Sequence, residues 1–218
     1  TKPMTTGDHV VWIVIPPSSR SGLEPSNEEL SLLRATEQLI AQGEHVMINL
    51  QPSLLPKYGQ ADPWVKLLAP LGLSANSSEV VLEQVAVGPN QLEIHRGQTI
   101  HSSNSDHLIS RAINGRSIFV PLPISIIGGD SILTIEGSED RWLDDAWAQE
   151  VVSRVGKSPM TEGISIAAAV QAENGQRAMV IGSGGWMLSW AADRAVALGG
   201  NNVVMLNPGN SELLLASV

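Results

Sequence analysis

The chain contains no cysteine, which excludes disulfides, thiolate nucleophiles and thiolate metal sites. That absence is silent about the compartment, since a cytosolic or a periplasmic protein can lack cysteine. Aromatic side chains other than tryptophan are scarce: one Phe and one Tyr accompany six Trp. No apolar run approaches the ~20 residues of a membrane-spanning helix. Basic residues are outnumbered, 13 Lys and Arg against 22 Asp and Glu, for a net charge of −9. Nothing offers the basic stripe that neutralises phosphates, so nucleic acid is not an expected partner.

What is present suits a folded domain. Hydrophobic residues make up 43% and charged residues 16% of 218, enough to bury roughly 70% of the unfolded chain's surface in one compact body. The reading is therefore a single α/β domain over residues 1–218. The sequence ends in an amphipathic pattern, Ser211 to Val218, with Gly209-Asn210 as its expected turn and cap. That truncated pattern reads as an excised soluble part of a longer membrane-associated protein.

The organising stretch runs from Gln176 to Trp186. A short apolar strand, Ala178 to Ile181, is closed by Gly182-Ser-Gly-Gly185. A strand so short and so continuously apolar fits a sheet buried on both faces. His9 to Ile15 is a second such run, stopped by Pro16-Pro17. Ser26-Asn-Glu-Glu29 gives a capping box, and Leu30, Leu33, Glu37 and Ile40 recur at helical spacing. Gly43 closes that helix and His45 to Leu50 is the next strand, a βαβ unit. Val80 to Val87 and Gln91 to Arg96 read as a peripheral hairpin, and Ser117 to Pro123 as a strand interrupted by prolines. Glu173-Asn-Gly175 is a tight hairpin signal between two strands. Ser138 to Val155 reads as partly helical and Met187 to Leu198 as a helix. Alternating strands and helices predict an α/β sheet with helices on both faces.

Motifs for chemistry are weak. The Gly182 to Gly185 turn fails as a nucleophile elbow, because Ile181 stands where glycine is required. It fails as a dinucleotide fingerprint, because Met187 replaces the third glycine. An anion held by the turn's amides is a lesser reading. His95, His101 and His107, six apart, do not have the spacing of a helical metal site, and surface histidines are the better reading. Glu136, Glu139, Asp140, Asp144 and Asp145 cluster with Trp142 and Trp147, which reads as an acidic helix start anchored by its tryptophans. No metal and no cofactor is expected.

Four stretches together resemble the extracytoplasmic domain of gliding-motility-type, uncharacterised ABC-transport auxiliary proteins and related domains of unknown function. The first is Trp12-Ile-Val-Ile-Pro16 with Gln42-Gly43, Val46 to Leu50, Pro52, and the Leu67-Leu68 and Leu71-Gly72 pattern. The second is Asp106 to Ile113 with Phe119-Val-Pro-Leu-Pro123, where Leu108 stands in place of the family's proline. The third is Leu133-Thr-Ile-Glu-Gly-Ser138 with Trp142. The fourth joins Ala167 to Val170, Gln176 to Gly182 and Gly209 to Leu215, and lacks the acidic pair the family shows after Gly182. The resemblance implies a flavodoxin-like three-layer sandwich with a mainly parallel sheet, close to the class I glutamine-amidotransferase-like fold. Enzymes of that fold use a cysteine that this chain does not have.

The resulting expectation is a non-enzymatic ligand- or protein-binding domain of a membrane-associated, ABC-transport-like assembly. It would sit on the extracytoplasmic (periplasmic) side, anchored by segments outside this chain. Membrane-protein partners of that complex, or a small-molecule or sugar ligand, would meet the carboxyl edge of the sheet at Pro16, Asn49, Gln51, Pro121, Ser138, Ser183 and Gly184. The alternatives are a serine hydrolase using Ser183 with His107 and a carboxylate, and a carbohydrate-binding module using Trp142 or Trp147.

Overall fold

The computed structural model describes residues 10–17, 24–100, 106–192, 194–199 and 202–218. His9, residues 18–23 and 101–105 (with His101) and Gly200 fall outside the described residues. β1 (Val11–Val14) ends ahead of Pro16-Pro17, neither of which extends a ladder. Ser26 then accepts the Glu29 amide at 3.1 Å and starts α1 (Asn27–Ala41), which gives way at Gly43, φ +76°. β2 (His45–Asn49) returns parallel to β1, completing the βαβ unit. α2 (Pro63–Lys66) is a single turn, capped where Asp62 accepts the Trp64 amide at 3.0 Å.

Six strands and a helix follow: β3 (Ser74–Asn76), β4 (Val80–Gly88), β5 (Gln91–His95), β6 (Gly97–Ile100), α3 (Leu108–Ile113), β7 (Ile118–Pro121) and β8 (Ser125–Ile127). Next are β9 (Asp130–Ile135), β10 (Arg141–Asp144), β11 (Ile164–Gln171) and β12 (Arg177–Ile181). The chain closes with α4 (Ser189–Ala192), β13 (Ala195–Gly199), β14 (Asn202–Met205) and α5 (Pro208–Ser217).

The main sheet has the order β1-β2-β12-β11-β9. β1, β2 and β12 run parallel, whereas β11 and β9 are antiparallel to their neighbours. All other strands form small antiparallel sheets: β10-β4-β5, β6-β7, β3-β8 and β13-β14. The expected mainly parallel, flavodoxin-like and amidotransferase-like sandwich is thereby overturned. Two local causes are visible. The turn at Glu173-Asn174-Gly175, with Gly175 at φ +85°, is too short to cross over a sheet and joins only antiparallel strands. The stretch after Met187, read as a crossover-sized helix, is helical only over Ser189–Ala192 before turning into β13.

Both faces of the main sheet are covered at β2 and β12, which explains their unbroken aliphatic runs, whereas the edge strand β1, expected to be buried as well, leaves Ile13 exposed. Val46, Ile48 and Leu50 pack on one side with Leu33, Leu39 and Ile40 of α1. Met47 faces the other side with Ile113 of α3 and Leu213 of α5. Each of these buried side chains contributes up to about 1.5–3 kcal/mol. Residues 138–155 are not helical. Trp142 and Asp144, two apart, both point inward from β10, a strand period that the acidic composition concealed. The final helix also starts earlier than expected, at Pro208, so Asn210 lies inside its first turn rather than at its cap.

Candidate functional site

β2 and β12 finish side by side, with Asn49 opposite Ile181. The chain then carries Gln51 from one strand and Gly182 to Trp186 from the other across the same edge. Polar side chains there are spent on holding the turn together. Ser183 Oγ donates to the Pro121 carbonyl at 2.6 Å. Asn49 Nδ2 donates to the Val14 carbonyl at 3.0 Å, and its Oδ1 accepts the Trp186 indole N–H at 2.7 Å. Ser183, Asn49 and Trp186 are all fully buried, so every one of these groups needs the partner it has.

Asn210 completes the floor from far along the chain. Its Oδ1 accepts the Phe119 amide and its Nδ2 donates to the Phe119 carbonyl, both at 2.8 Å. The same Nδ2 reaches the Trp186 carbonyl at 2.5 Å. A side-chain amide thus pairs with the outer edge of β7 as a neighbouring strand would. No local pattern announces this role, because its partners lie 91 and 24 residues away.

Over this floor opens a cleft of about 620 Å³, lined by Gln51, Phe119, Pro121, Trp147, Leu188 and Trp190, among others. Glycine is required where the walls touch. A β-carbon on Gly185 would lie 2.8 Å from Pro121 Cγ, and one on Gly97 would lie 2.8 Å from Phe119 Cε2. Phe119 and Trp190 meet edge to face, with ring centroids 6.0 Å apart and planes at 74°. Trp190 is 54% exposed and Leu188 46%, an unusual surface position for such side chains grouped together. Leu122, in the same wall, has φ +47°, and its amide donates to the Arg96 carbonyl at 2.7 Å. That backbone costs roughly 1–3 kcal/mol and is held by its surroundings. A second hollow of about 740 Å³ shares Arg96, Gly97 and Phe119 with the first and continues to Leu92 and Val151.

The outer wall is the segment after β10. Arg96 Nη2 donates to the carbonyls of Gln149 (2.5 Å) and Glu150 (3.2 Å). Asp144, fully buried, accepts from the Trp142 indole and the Ala146 amide at 2.7 Å each, and Lys157 Nζ lies 3.3 Å from it. Arg154 stacks over the Trp142 ring at 5.1 Å. Burial works to lower the Lys157 pKa, but the charges and hydrogen bonds of Asp144 and Asp145 outweigh it and raise the pKa above its ordinary value. A raised lysine pKa means that this contact's stabilisation is complete below the unfolded value and is lost as pH climbs through the folded one. With 5-fluorotryptophan at Trp147, the fluorine resonance is expected to shift as pH rises beyond the ordinary lysine range. Lys157→Met should abolish that shift, and a shift that persists in the variant removes Lys157 as its cause.

The expected site residues are placed as follows. Gln51 and Pro121 line the cleft, Gly184 backs directly onto the Gln51 carboxamide, and Asn49 and Ser183 lie beneath them. Pro16 is buried just past the end of β1. Ser138 is not part of this group: its amide donates to Met160 at 2.6 Å and its hydroxyl accepts from Asp140. Sequence reasoning missed Phe119, Leu188 and Trp190 as walls. The cluster of apolar residues after Gly185 was the signal for Leu188 and Trp190, absorbed into an expected helix.

The alternatives fare unevenly. The Ser183 hydroxyl is committed to a carbonyl, while His107 Nδ1 accepts the Ile109 amide at 3.2 Å as the cap of α3, so the two do not form a nucleophile and base. His95 lies 3.8 Å from Glu93 on the surface. Among the described residues no group of three or more His, Asp or Glu is arranged to hold a metal. Trp142 is fully buried, and Trp147 is half-buried with its indole donating to the Ser78 carbonyl at 3.2 Å. The four-residue α4 is too short to focus a helix dipole on the glycine turn.

The fold and cleft define a mixed α/β domain with an aromatic recess at the carboxyl ends of its parallel strands. No protein-family model and no curated protein matches the sequence. Among solved structures the chain is similar to "mmIFT52 N-terminal domain", with a TM-score of 0.53 and 11% identity, over 95% of this chain and 77% of that one. At that identity the likeness concerns the fold alone. Among the described residues no helix is long and apolar enough to cross a membrane.

Proposed function

We propose that this chain is a non-enzymatic binding domain whose cleft receives an apolar or aromatic group of a protein partner or small ligand. The observation that carries the reading is the cleft's chemistry. Its walls are carbon-rich, its one guanidinium is bound to two carbonyls, and the serine and asparagine at its base already hold backbone or indole partners. Such a surface recognises shape and apolar area rather than performing bond chemistry. Sugar hydroxyls would find few polar partners there beside Gln51, so an apolar group suits the cleft better than a carbohydrate.

The resemblance of the sequence to extracytoplasmic ABC-transport auxiliary domains supports placing this binding role in a membrane-associated, transport-like assembly. Partners of that assembly would then present the apolar group. The direct test is a titration of isotope-labelled protein with small aromatic and aliphatic fragments and with short apolar peptides. Amide shifts should cluster at Gly97, Gly185 and the Trp190 indole. Trp190→Ala should weaken binding about tenfold while changing stability by no more than about 1 kcal/mol, because the ring is mostly exposed. Shifts concentrated elsewhere, or unaffected by the substitution, would overturn the reading.

A further inference from the structure

The hollow of about 740 Å³ beside the cleft has a chemistry of its own. Arg96 and Arg194 line it against one carboxylate, Glu150. With His95 counted neutral it is therefore a basic place on a chain of net charge −9. The Arg96 guanidinium is held by the Gln149 and Glu150 carbonyls. Arg194 is exposed, and among the described residues nothing pairs with its side chain. Leu92 and Val151, in the same walls, are 60% and 80% exposed.

A strand border runs along this hollow. β5 pairs with β4 on one side, and among the described residues no strand stands on its other side. The Gln84 amide donates to the Asp140 carbonyl at 2.9 Å, on the β10 side of β4. Gln84 thus turns its backbone groups away from β5, and Ile94, its partner across the ladder, turns its own away from β4. Leu92, opposite Ala86, has the same alternation, and the register is unbroken between these two pairs. Leu92 and Ile94 line the hollow, and the chain continues from them through Arg96 and Gly97, which line both hollow and cleft.

Resting on the reading of the cleft as a site for an apolar group, we propose that cleft and hollow together receive one extended, acidic peptide segment of a protein partner. Its apolar or aromatic side chain sits in the cleft, its backbone lies along β5, and an acidic side chain meets Arg194. A strand border offers amides and carbonyls that any extended peptide can pair, and the side chains beside it choose among peptides. Here the unpaired guanidinium selects a carboxylate. With Glu150 beside them, the two arginines balance one carboxylate rather than the charge of a nucleic-acid backbone.

The probes are capped alanine peptides carrying one Phe and one Asp, separated by one, two or three alanines in either order, each with an Asn counterpart. They are titrated into the isotope-labelled whole chain. At least one Asp peptide should bind about fivefold more tightly than its Asn counterpart at low salt, and the difference should shrink in about 0.5 M NaCl. Arg194→Gln should remove that preference and leave the melting temperature unchanged, because the replaced side chain holds no partner. Amide exchange at Leu92 and Ile94 should slow in the complex. No Asp preference at any spacing, a preference that survives Arg194→Gln, or unslowed exchange at Leu92 and Ile94 would overturn the proposal. The cleft is judged separately, since Trp190→Ala should weaken Asp and Asn peptides alike. Equal binding of the two with that dependence intact sinks the acidic segment and leaves the cleft standing.

Discussion

Trp186→Ala should destabilise the chain by about 3–5 kcal/mol, the usual range for a buried tryptophan, and lower the melting temperature by about 6–20 °C at this chain length. The ring is fully buried in the core between the main sheet and the α3 and α5 helices. Its removal opens a cavity and also deprives Asn49 Oδ1 of the indole donor. Trp186→Phe separates the two contributions. It retains most of the apolar volume, so its expected loss is the hydrogen-bond share, about 1–3 kcal/mol. Equal losses in the two variants would show that packing is minor and that the indole–Asn49 bond dominates. Since Trp186 follows Gly184-Gly185 directly, the alanine variant should also broaden the amide signals of that turn and weaken fragment binding in the cleft.

The second large effect is expected at Asp144. Replacement by alanine leaves the Trp142 indole N–H buried without an acceptor, frees the Ala146 amide and removes the nearer of the two carboxylates beside Lys157. The Lys157 side chain is 31% exposed, so water moderates the loss of the ion pair. The orphaned indole and the broken pair together should cost about 2–4 kcal/mol. Asp144→Asn preserves one acceptor and should lose less. Chemical denaturation of the three proteins tests the ranking, and an asparagine variant no more stable than the alanine variant would contradict this account. Trp147, carried on the same segment, should become more accessible to quenchers in Asp144→Ala.

Some of this architecture is legible in the chain. His45–Asn49 and Arg177–Ile181 are apolar enough to declare themselves as buried strands, and Ser26 with Glu29 states where α1 begins; Val11–Val14 is legible as a strand but not as the edge strand it is, with Val14 buried and Ile13 exposed. Sheet direction is less accessible, because an aliphatic strand looks the same beside a parallel or an antiparallel neighbour. The hairpin at Gly175 held the correction: a turn that tight forbids the parallel arrangement of β11 and β12 that a flavodoxin-like sheet asks for. At the site, Asn49, Gln51 and Ser183 follow from strand ends. Phe119, Trp147 and Trp190 do not, since they converge from three separated segments. Asn210 was legible only as a turn former, although its amide completes the β7 edge. Asp144 was hidden by its acidic neighbours, which are solvated while it is not.

The pairing of β2 with β12 joins residues 46–49 to residues 178–181, and it has a consequence for how the chain can be divided. It is the seam between an amino-terminal βαβ half and a carboxyl-terminal hairpin half, each locally connected within itself. Separating the halves at any intervening loop would leave both β2 and β12, two of the most hydrophobic strands, with raw unpaired borders in water. The domain is thus indivisible at its middle, and fragments of it should survive only when both sides of that seam are supplied together.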